Sequence, residues 1–176
     1  TAYEYDYVLG KVKKVTDPNG AATATSYEYD EFGRLTKVIR PGDNPTYPTI
    51  EYTYYDTNSP LRIIAKDRIV SSGADVAAIR FYNGIGQLIQ ENKVSTDRSQ
   101  MTIANTTYNA QGLVEKSYVP YFATYSTAYQ TPDTNQPKTT YAYDALGRAT
   151  TVTNPDSTTV RTFYDGLTKT VVDENS

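Results

Sequence analysis

The sequence has no cysteine, no histidine and no tryptophan, and it contains a single methionine among its 176 residues. The absence of cysteine excludes disulfides and thiol chemistry. The absence of histidine excludes a Ser-His-Asp triad, and without His or Cys a zinc or copper site has no suitable ligands. No 12-residue calcium loop is present either. With the repeated turns described below, these absences lead us to expect no catalytic residues, no metal and no cofactor, although a hard-cation site at a surface turn stays open.

A concentration of one charge and a long apolar run are also missing. The 17 basic and 20 acidic residues are spread evenly and give a net charge of −3. Without a basic block, binding to a nucleic-acid backbone is not expected. No apolar run approaches the roughly 18 residues of a membrane-spanning helix. The segment that follows Thr1 does not resemble a signal peptide, so we interpret the chain as an internal fragment of a longer protein.

What the sequence has in abundance is tyrosine, which provides 18 of its 22 aromatic residues. Seven tyrosines are followed directly by Asp or Asn, where chance would give about two or three. The steps between them are 24, 26, 27, 26, 35 and 21 residues. A period in this range predicts a repeat protein. The seven are Tyr5, Tyr29, Tyr55, Tyr82, Tyr108, Tyr143 and Tyr164.

Each repeat has the pattern of a β-hairpin. In the clearest copy, Tyr27 and Tyr29 are two residues apart and so point to the same face of a strand. Asp30 can accept hydrogen bonds from the backbone that follows it, and Gly33 can adopt a positive φ, which predicts a turn at this point. Copies 4, 5 and 6 keep the spacing with the pairs Asn83 and Gly86, Asn109 and Gly112, and Asp144 and Gly147.

The other three copies depart from this pattern. Copy 1 places its glycine one residue later, at Gly10. Copy 3 has no glycine, and we expect Asn58 to take the left-handed conformation there. Copy 7 is shortened to Tyr164, Asp165 and Gly166.

The hairpins together predict an all-β protein in which residues 1–176 form one array. Three return strands end at a turn signal that contains proline, namely Asp17-Pro18-Asn19-Gly20, Arg40-Pro41-Gly42-Asp43 and Asn154-Pro155-Asp156-Ser157, so the hairpins are joined as an antiparallel meander. About 14 strands exceed what an open sheet usually holds without bending, so we expect a curled or spiralling sheet. Apolar residues that are three apart in a return strand, such as Leu35 and Val38, would point to opposite faces of a regular strand. Either a β-bulge lies between them, or both faces of the sheet are partly covered.

Two segments depart from the hairpin pattern. We interpret residues 119–138 as a long surface loop with a Tyr-bearing extended segment. We expect a strand and a loop within residues 65–79, and Asp75 to Ile79 is the one weak helix candidate.

The segments Tyr29-Asp30-Glu31-Phe32-Gly33-Arg34-Leu35-Thr36 and Tyr143-Asp144-Ala145-Leu146-Gly147-Arg148 resemble the YD repeat, also called the RHS repeat. The repeat occurs in bacterial RHS polymorphic toxins, in the B and C components of Tc toxins, in wall-associated proteins and in teneurins. The resemblance implies part of a spiralling shell, a secreted or cell-surface location and, as partners, the remainder of a larger YD-repeat polypeptide and an enclosed toxin cargo. The family's self-cleaving Asp-Pro region is not recognisable here, since Asp17-Pro18 is explained by a turn.

The repeated carboxylates favour a structural role over a catalytic one. A hydrolase needs a catalytic acid once or twice, whereas a turn residue is needed in every hairpin. Asn83 and Asn109 can form the turn but cannot act as acid or base. Taken with the resemblance, which implies the shell, this predicts a non-enzymatic segment of an RHS/YD-repeat shell that encloses or displays another polypeptide, as part of a secreted toxin component. The alternative is a carbohydrate-binding or cell-surface module, with Tyr121, Tyr125 and Tyr129 as candidate ligand-binding residues.

Overall fold

The computed structural model describes residues 1–68, 75–95 and 97–174. In these residues it shows fifteen β-strands in one antiparallel sheet, which confirms the all-β meander. The only helix in the described part is a single 3₁₀ turn, Ala21–Thr23. None of the helical structure described is long and apolar enough to cross a membrane.

The strands are short, as expected of hairpins separated by turns. The first eight are β1 (Ala2–Asp6), β2 (Lys11–Thr16), β3 (Thr25–Tyr29), β4 (Leu35–Ile39), β5 (Ile50–Tyr55), β6 (Leu61–Arg68), β7 (Asp75–Tyr82) and β8 (Leu88–Val94). The others are β9 (Gln100–Tyr108), β10 (Val114–Tyr118), β11 (Tyr121–Thr124), β12 (Lys138–Tyr143), β13 (Ala149–Thr153), β14 (Thr159–Asp165) and β15 (Thr168–Val172).

The order of the strands in the sheet follows the order of the chain, with one exception. Each of the seven repeats forms a hairpin, and each hairpin pairs with the next one. Strand β11 pairs with the first half of β9, whereas β10 pairs with its second half, so the sheet divides at β9. Strands β1 and β15 end the sheet, which is open and leaves both of these edges without a pairing strand.

The return strand of five hairpins carries a β-bulge at the same place. In the second hairpin Glu28 pairs with Lys37 but Tyr29 pairs with Leu35, so Thr36 is left over. The same shift leaves Thr150 over in the sixth hairpin. A bulge brings residues three apart back to one face of the sheet. The spacing of Leu35 and Val38 is therefore explained by a bulge.

The core lies on the middle strands, β6 to β9, and β11. Its buried cluster consists of Ile64, Ala77, Ile79, Phe81, Val94, Met101 and Ile103. The segment that follows β11 packs across this face through Tyr125 and Tyr129. We call residues 125–133 the strap. The predicted surface loop therefore contains both a strand, β11, and a segment that covers the core.

Two expectations from the sequence are wrong. The weak helix candidate Asp75 to Ile79 forms part of β7, where Ala77, Ile79 and Phe81 alternate inward and are buried. A period of two fits a strand that is covered on one face, and pairing with β6 and β8 outweighs local helix propensity. The loop expected within residues 65–79 falls largely on residues 69–74, outside the described part.

The second error concerns Asn58. This residue does not have a positive φ. The turn of the third hairpin instead contains a cis peptide bond between Ser59 and Pro60. A proline turn with this bond reverses the chain without a left-handed residue.

Candidate functional site

The hairpin turns form the most regular arrangement of polar side chains in the protein. In the sixth hairpin Asp144 Oδ1 accepts hydrogen bonds from the backbone N–H of Leu146 at 3.0 Å and of Arg148 at 2.9 Å. The N–H of Gly147 donates to the carbonyl oxygen of Asp144 at 3.0 Å. Gly147 has φ +77°, a conformation that L-residues with a Cβ rarely adopt. Asp30 and Gly33 make the same turn in the second hairpin.

Asparagine makes this turn with the same geometry as aspartate. Asn109 Oδ1 accepts from the N–H groups of Gln111 and Leu113, both at 3.0 Å. Asn83 Oδ1 accepts from the N–H groups of Ile85 at 3.2 Å and Gln87 at 2.9 Å. The side-chain oxygen is thus the atom that the turn requires, and a negative charge is not needed for it.

In four of the seven repeats the tyrosine of the Tyr-Asp or Tyr-Asn pair joins its hairpin to the preceding one. The hydroxyl of Tyr143 donates to the carbonyl oxygen of Val114 at 2.7 Å, two residues after Gly112. Five tyrosines donate to the residue two positions after a turn glycine. The pairs are Tyr29 with Val12, Tyr54 with Leu35, Tyr108 with Leu88, Tyr143 with Val114, and Tyr164 with Ala149. This repeated bond fixes the position of each hairpin relative to its neighbour.

The third hairpin uses a different tyrosine from the one that the sequence motif indicates. Tyr54 makes the hydroxyl bond, whereas Tyr55 packs against the core cluster and lies 3.9 Å below the guanidinium of Arg62. The pairing of β5 with β6 runs without a bulge up to Tyr55 and Arg62. Without the bulge the register differs by one residue, which moves Tyr55 to the other face of the sheet.

Two other tyrosines of the motif lie where this bond has no counterpart, and Asp165 departs from the turn pattern. Tyr5 is on the edge strand β1, so no earlier hairpin adjoins it. Tyr82 pairs with Leu61, next to the turn without glycine. Asp165 is exposed at the end of β14, where the seventh hairpin reverses through Gly166 and Leu167.

An arginine after the glycine connects successive turns. Arg34 Nε donates to Asp30 Oδ2 at 2.7 Å within its own turn. Its two terminal nitrogens donate to the two carboxylate oxygens of Asp56 in the next hairpin, each at 2.8 Å. The guanidinium also lies 4.1 Å from the ring centre of Tyr54. The sequence analysis assigned roles to the Tyr, Asp and Gly of the repeat and none to Arg34. An arginine follows the glycine again at Arg148, which was the available signal.

The electrostatics of these turns favours the ionised carboxylates. A hydrogen bond from the Arg34 guanidinium lowers the pKa of Asp56. Burial alone would raise the pKa of Asp30, but hydrogen bonds from the backbone and guanidinium of Arg34 outweigh it and lower that pKa. Hydrogen bonds from the backbone and side chain of Arg148 lower the pKa of Asp144. Carboxylates held in this state are poor general acids at neutral pH.

The fourth hairpin replaces the charged pair by two amides. Asn83 Nδ2 donates to Gln87 Oε1 at 2.9 Å, and Gln87 Nε2 donates to the carbonyl oxygen of Gly112 at 2.7 Å. Gln87 therefore joins two turns as Arg34 does, by hydrogen bonds between neutral groups. Both Asp with Arg and Asn with Gln satisfy the same contact, which supports a structural function of the pair.

The structure places the candidate ligand-binding tyrosines against the core. The rings of Tyr121, Tyr125 and Tyr129 are partly buried on the core cluster. Tyr129 meets Phe81 edge to face with ring centres 5.6 Å apart, and burial raises the pKa of its hydroxyl. The hydroxyl of Tyr121 accepts a hydrogen bond from Asn105 at 3.0 Å. The structure brings these three residues together, and it gives each ring a packing role.

Sequence reasoning missed a row of buried amides beneath the strap. Gln90, Asn92 and Asn105 are 1%, 0% and 1% exposed. The Gln90 side chain accepts from the N–H of Gln130 at 3.0 Å and donates to its carbonyl oxygen at 2.6 Å. The side-chain amide of Gln90 thus binds both backbone groups of Gln130 in the strap, as the backbone of a neighbouring strand would. The sequence did contain a signal for this row: Gln90 and Asn92 are two residues apart on β8 and therefore point to the same face of the sheet.

Comparison with known proteins agrees with the repeat and with the fold. Residues 5–45 match the model of the RHS repeat family. The chain is similar to the crystal structure of TcdB2-TccC3, with a TM-score of 0.79 and 16% sequence identity over 99% of this chain. It is also similar to the crystal structure of TcdB2-TccC3-Cdc42, with a TM-score of 0.79 and 12% identity over 99% of this chain.

A third similar structure is TcdB2-TccC3 without its hypervariable C-terminal region, with a TM-score of 0.77 and 12% identity over 99% of this chain. The chain spans 11% of the first of these chains and 14% of the other two. No curated protein matches the sequence. At these identities the likeness concerns the fold.

Proposed function

We propose that this chain, which carries an RHS repeat at residues 5–45 and shares the fold of the TcdB2-TccC3 structures, is a non-enzymatic segment of the wall of a larger secreted RHS-repeat protein. In this proposal the wall encloses or displays another polypeptide. The supporting observation is the tyrosine hydroxyl bond that recurs between successive hairpins. Because each hairpin binds the next in the same way, the arrangement can be continued by further hairpins.

The two ends of the sheet support continuation into a larger wall. Strand β1 presents Tyr5 without a preceding hairpin, and β15 presents a return strand without a following one. Unpaired edges of this kind recruit further strands. The chain also spans only 11–14% of the chains whose fold it shares.

An experiment on the full-length natural protein tests enclosure. Limited proteolysis with mass spectrometry should leave a non-repeat segment uncut while the wall is intact. Gly33→Val and Gly147→Val in the same protein weaken two turns and should expose that segment to cleavage. Equal cleavage of the non-repeat segments in both forms would contradict enclosure.

The alternative function is binding of a carbohydrate or of a cell surface. The tyrosine content favours it, but the packing of Tyr121, Tyr125 and Tyr129 on the core leaves less of each ring free to stack on a sugar. A glycan array that detects binding, and loses it with Tyr125→Ala, would favour the alternative. An array without any sugar-dependent signal would remove it.

A further inference from the structure

Each hairpin turn presents one residue at its tip, two positions after the Asp or Asn that starts the turn. We call it the tip residue. In five turns its N–H bonds the side chain of that Asp or Asn, so the turn itself fixes the backbone of the tip. In chain order the seven tip residues are Val8, Phe32, Asn58, Ile85, Gln111, Leu146 and Leu167.

Five of the seven tip residues are large and apolar, and each of these five is at least 76% exposed. About one residue in five of the chain is Val, Ile, Leu, Met or Phe, so chance would place roughly one or two of them at seven positions. The turn does not require them either, since the central positions of turns favour Asp, Asn, Gly, Ser and Pro. The excess of apolar tips therefore needs a cause outside the turn.

The opposite ends of the strands provide an internal comparison. The turns there join one hairpin to the next and close with the same kind of backbone bond, as between the N–H of Ser157 and the carbonyl oxygen of Asn154. The central residues of three such turns are Pro18 and Asn19, Pro41 and Gly42, and Pro155 and Asp156. Large apolar residues are thus concentrated at the tips of one rim of the sheet, which we call the apolar rim.

Contacts between successive turns hold the tips side by side. Arg34 binds Asp56 of the next turn, and Gln87 binds the carbonyl oxygen of Gly112 in the turn after it. Successive tips are two strands apart, which corresponds to about 10 Å. The seven tips therefore form a preformed row of about 60 Å along the rim.

The order of apolar and polar tips is the same in both directions. From either end it is apolar, apolar, polar, apolar, polar, apolar, apolar, with Ile85 in the middle. A two-fold rotation about an axis through Ile85 therefore places apolar tips opposite apolar tips, as an isologous contact requires. The facing pairs are Val8 with Leu167, Phe32 with Leu146, and Asn58 with Gln111 of the second copy. The amides of the last pair can hydrogen-bond to each other.

We propose that the apolar rim is an interface whose partner is a second copy of this chain, related by a two-fold axis through Ile85. Burial of one such side chain removes on the order of 100 Å² from water. With the exposed ring of Tyr7 and the two polar tips, the row offers on the order of 600–800 Å² per copy. A standard stable interface buries roughly 800 Å² per partner, so the row is close to the required size.

The charge of the rim favours a protein partner over a lipid surface. The two central positions of the seven hairpin turns contain a single charged residue, Glu31. Apolar segments that dock on anionic membranes are usually accompanied by basic residues, which these positions lack. The contact is also separate from the open edges β1 and β15, and it does not depend on the proposed wall function.

Cysteine crosslinking tests the contact, because the sequence has no cysteine. Ile85→Cys should give a disulfide-linked dimer on oxidation with copper phenanthroline, since the axis brings position 85 of the two copies together. Phe122→Cys is the matched control, because Phe122 is 78% exposed but lies on β11 and not at a tip, and it should stay monomeric. Pairing between β1 and β15 would not bring position 85 of two copies together. Equal crosslinking of the two variants, or none with Ile85→Cys, would overturn the proposal.

Sedimentation velocity with charge variants tests the register. Phe32→Asp and Leu146→Lys should each weaken dimer formation about tenfold or more, because each places a charge against an apolar tip. Both changes in one chain should restore the dimer, since the axis sets the new carboxylate opposite the new ammonium of the other copy. Phe32→Asp with Leu167→Lys is the control and should not restore it. The proposal fails if both double variants behave alike, or if the unmodified chain stays monomeric and binds phosphatidylcholine vesicles instead.

Discussion

At the scale of single residues, each position of the repeat has one physical task. The Asp or Asn oxygen accepts two backbone N–H groups, as Asn109 and Asp144 show. The glycine supplies a positive φ, and the tyrosine hydroxyl bonds the preceding hairpin. None of these tasks needs an ionisable group with a shifted pKa near neutrality, which agrees with a structural role.

The positive φ of the turn glycine predicts that a β-branched substitution there destabilises the protein. Gly147→Val forces a β-branched residue to φ +77° and should lower the free energy of unfolding by about 1–3 kcal/mol. Gly33→Val, at φ +75°, should have a similar effect. Thermal or urea unfolding measures both.

Gly84→Val provides the matched control within the fourth hairpin. Gly84 does not have a positive φ, and no heavy atom lies within 4 Å of the position of an added Cβ. Its substitution should change stability much less. Equal melting temperatures for Gly147→Val and the unmodified chain would contradict the turn described above.

At the scale of the element, successive turns act together through the residue after the glycine. Arg34 links two turns by charge, and Gln87 links two turns by neutral hydrogen bonds. Charged links should respond to acid, whereas neutral links should not.

The pKa shifts predict that the protein becomes less stable in acid. The pKa values of Asp30, Asp56 and Asp144 are lowered in the folded protein from an ordinary value of 3.8. Because the unfolded chain binds protons more readily, this contribution is present above about pH 4 and is lost as pH falls through the folded pKa values. The melting temperature should therefore fall between about pH 5 and pH 2.5.

The double variant Asp30→Asn with Asp144→Asn tests the origin of this pH dependence. It keeps the turn oxygens, as Asn83 and Asn109 do, and removes two titrating groups. Its melting temperature should fall less steeply over the same pH range. An unchanged slope would show that the acid sensitivity comes from other carboxylates, such as Asp97, whose pKa is lowered to about 2 by hydrogen bonds from Ser95 and Ser99.

At the scale of the whole molecule, the sheet has two open edges of complementary type. Strand β15 is a return strand, and each return strand within the chain pairs with the first strand of the next hairpin. Strand β15 of one copy can therefore pair with β1 of another. Such a head-to-tail contact does not close on itself, unless the rotation between copies forms a ring.

We expect the isolated chain to associate with itself as its concentration rises. Sedimentation velocity over a range of concentrations measures this. Tyr3→Lys and Val171→Lys place charges on the two edges, at residues that are 56% and 53% exposed, and should reduce association. A stable monomer at high concentration would contradict the expectation.

The sequence by itself determined the repeat, the hairpins and the turn residues. These features depend on backbone preferences over about four residues, so Asp30, Gly33 and their equivalents could be identified from spacing. The resemblance to RHS repeats and the all-β meander depended on the same local pattern. The recurrence of arginine after the glycine, at Arg34 and Arg148, could also be seen in the sequence. The hydrogen bonds that join Arg34 to the next turn could not.

Only the tertiary structure decided the features that depend on pairing across the sheet. The bulge at Thr36 became visible from the register of two strands. The exchange of Tyr55 for Tyr54 followed from the absence of that bulge in the third hairpin. The strap packs on the core because β6 to β9 present an apolar face that the chain must cover, and burial of this kind joins residues far apart in the sequence. Local preferences built the hairpins, and cross-strand register with the need to bury apolar surface decided how they meet.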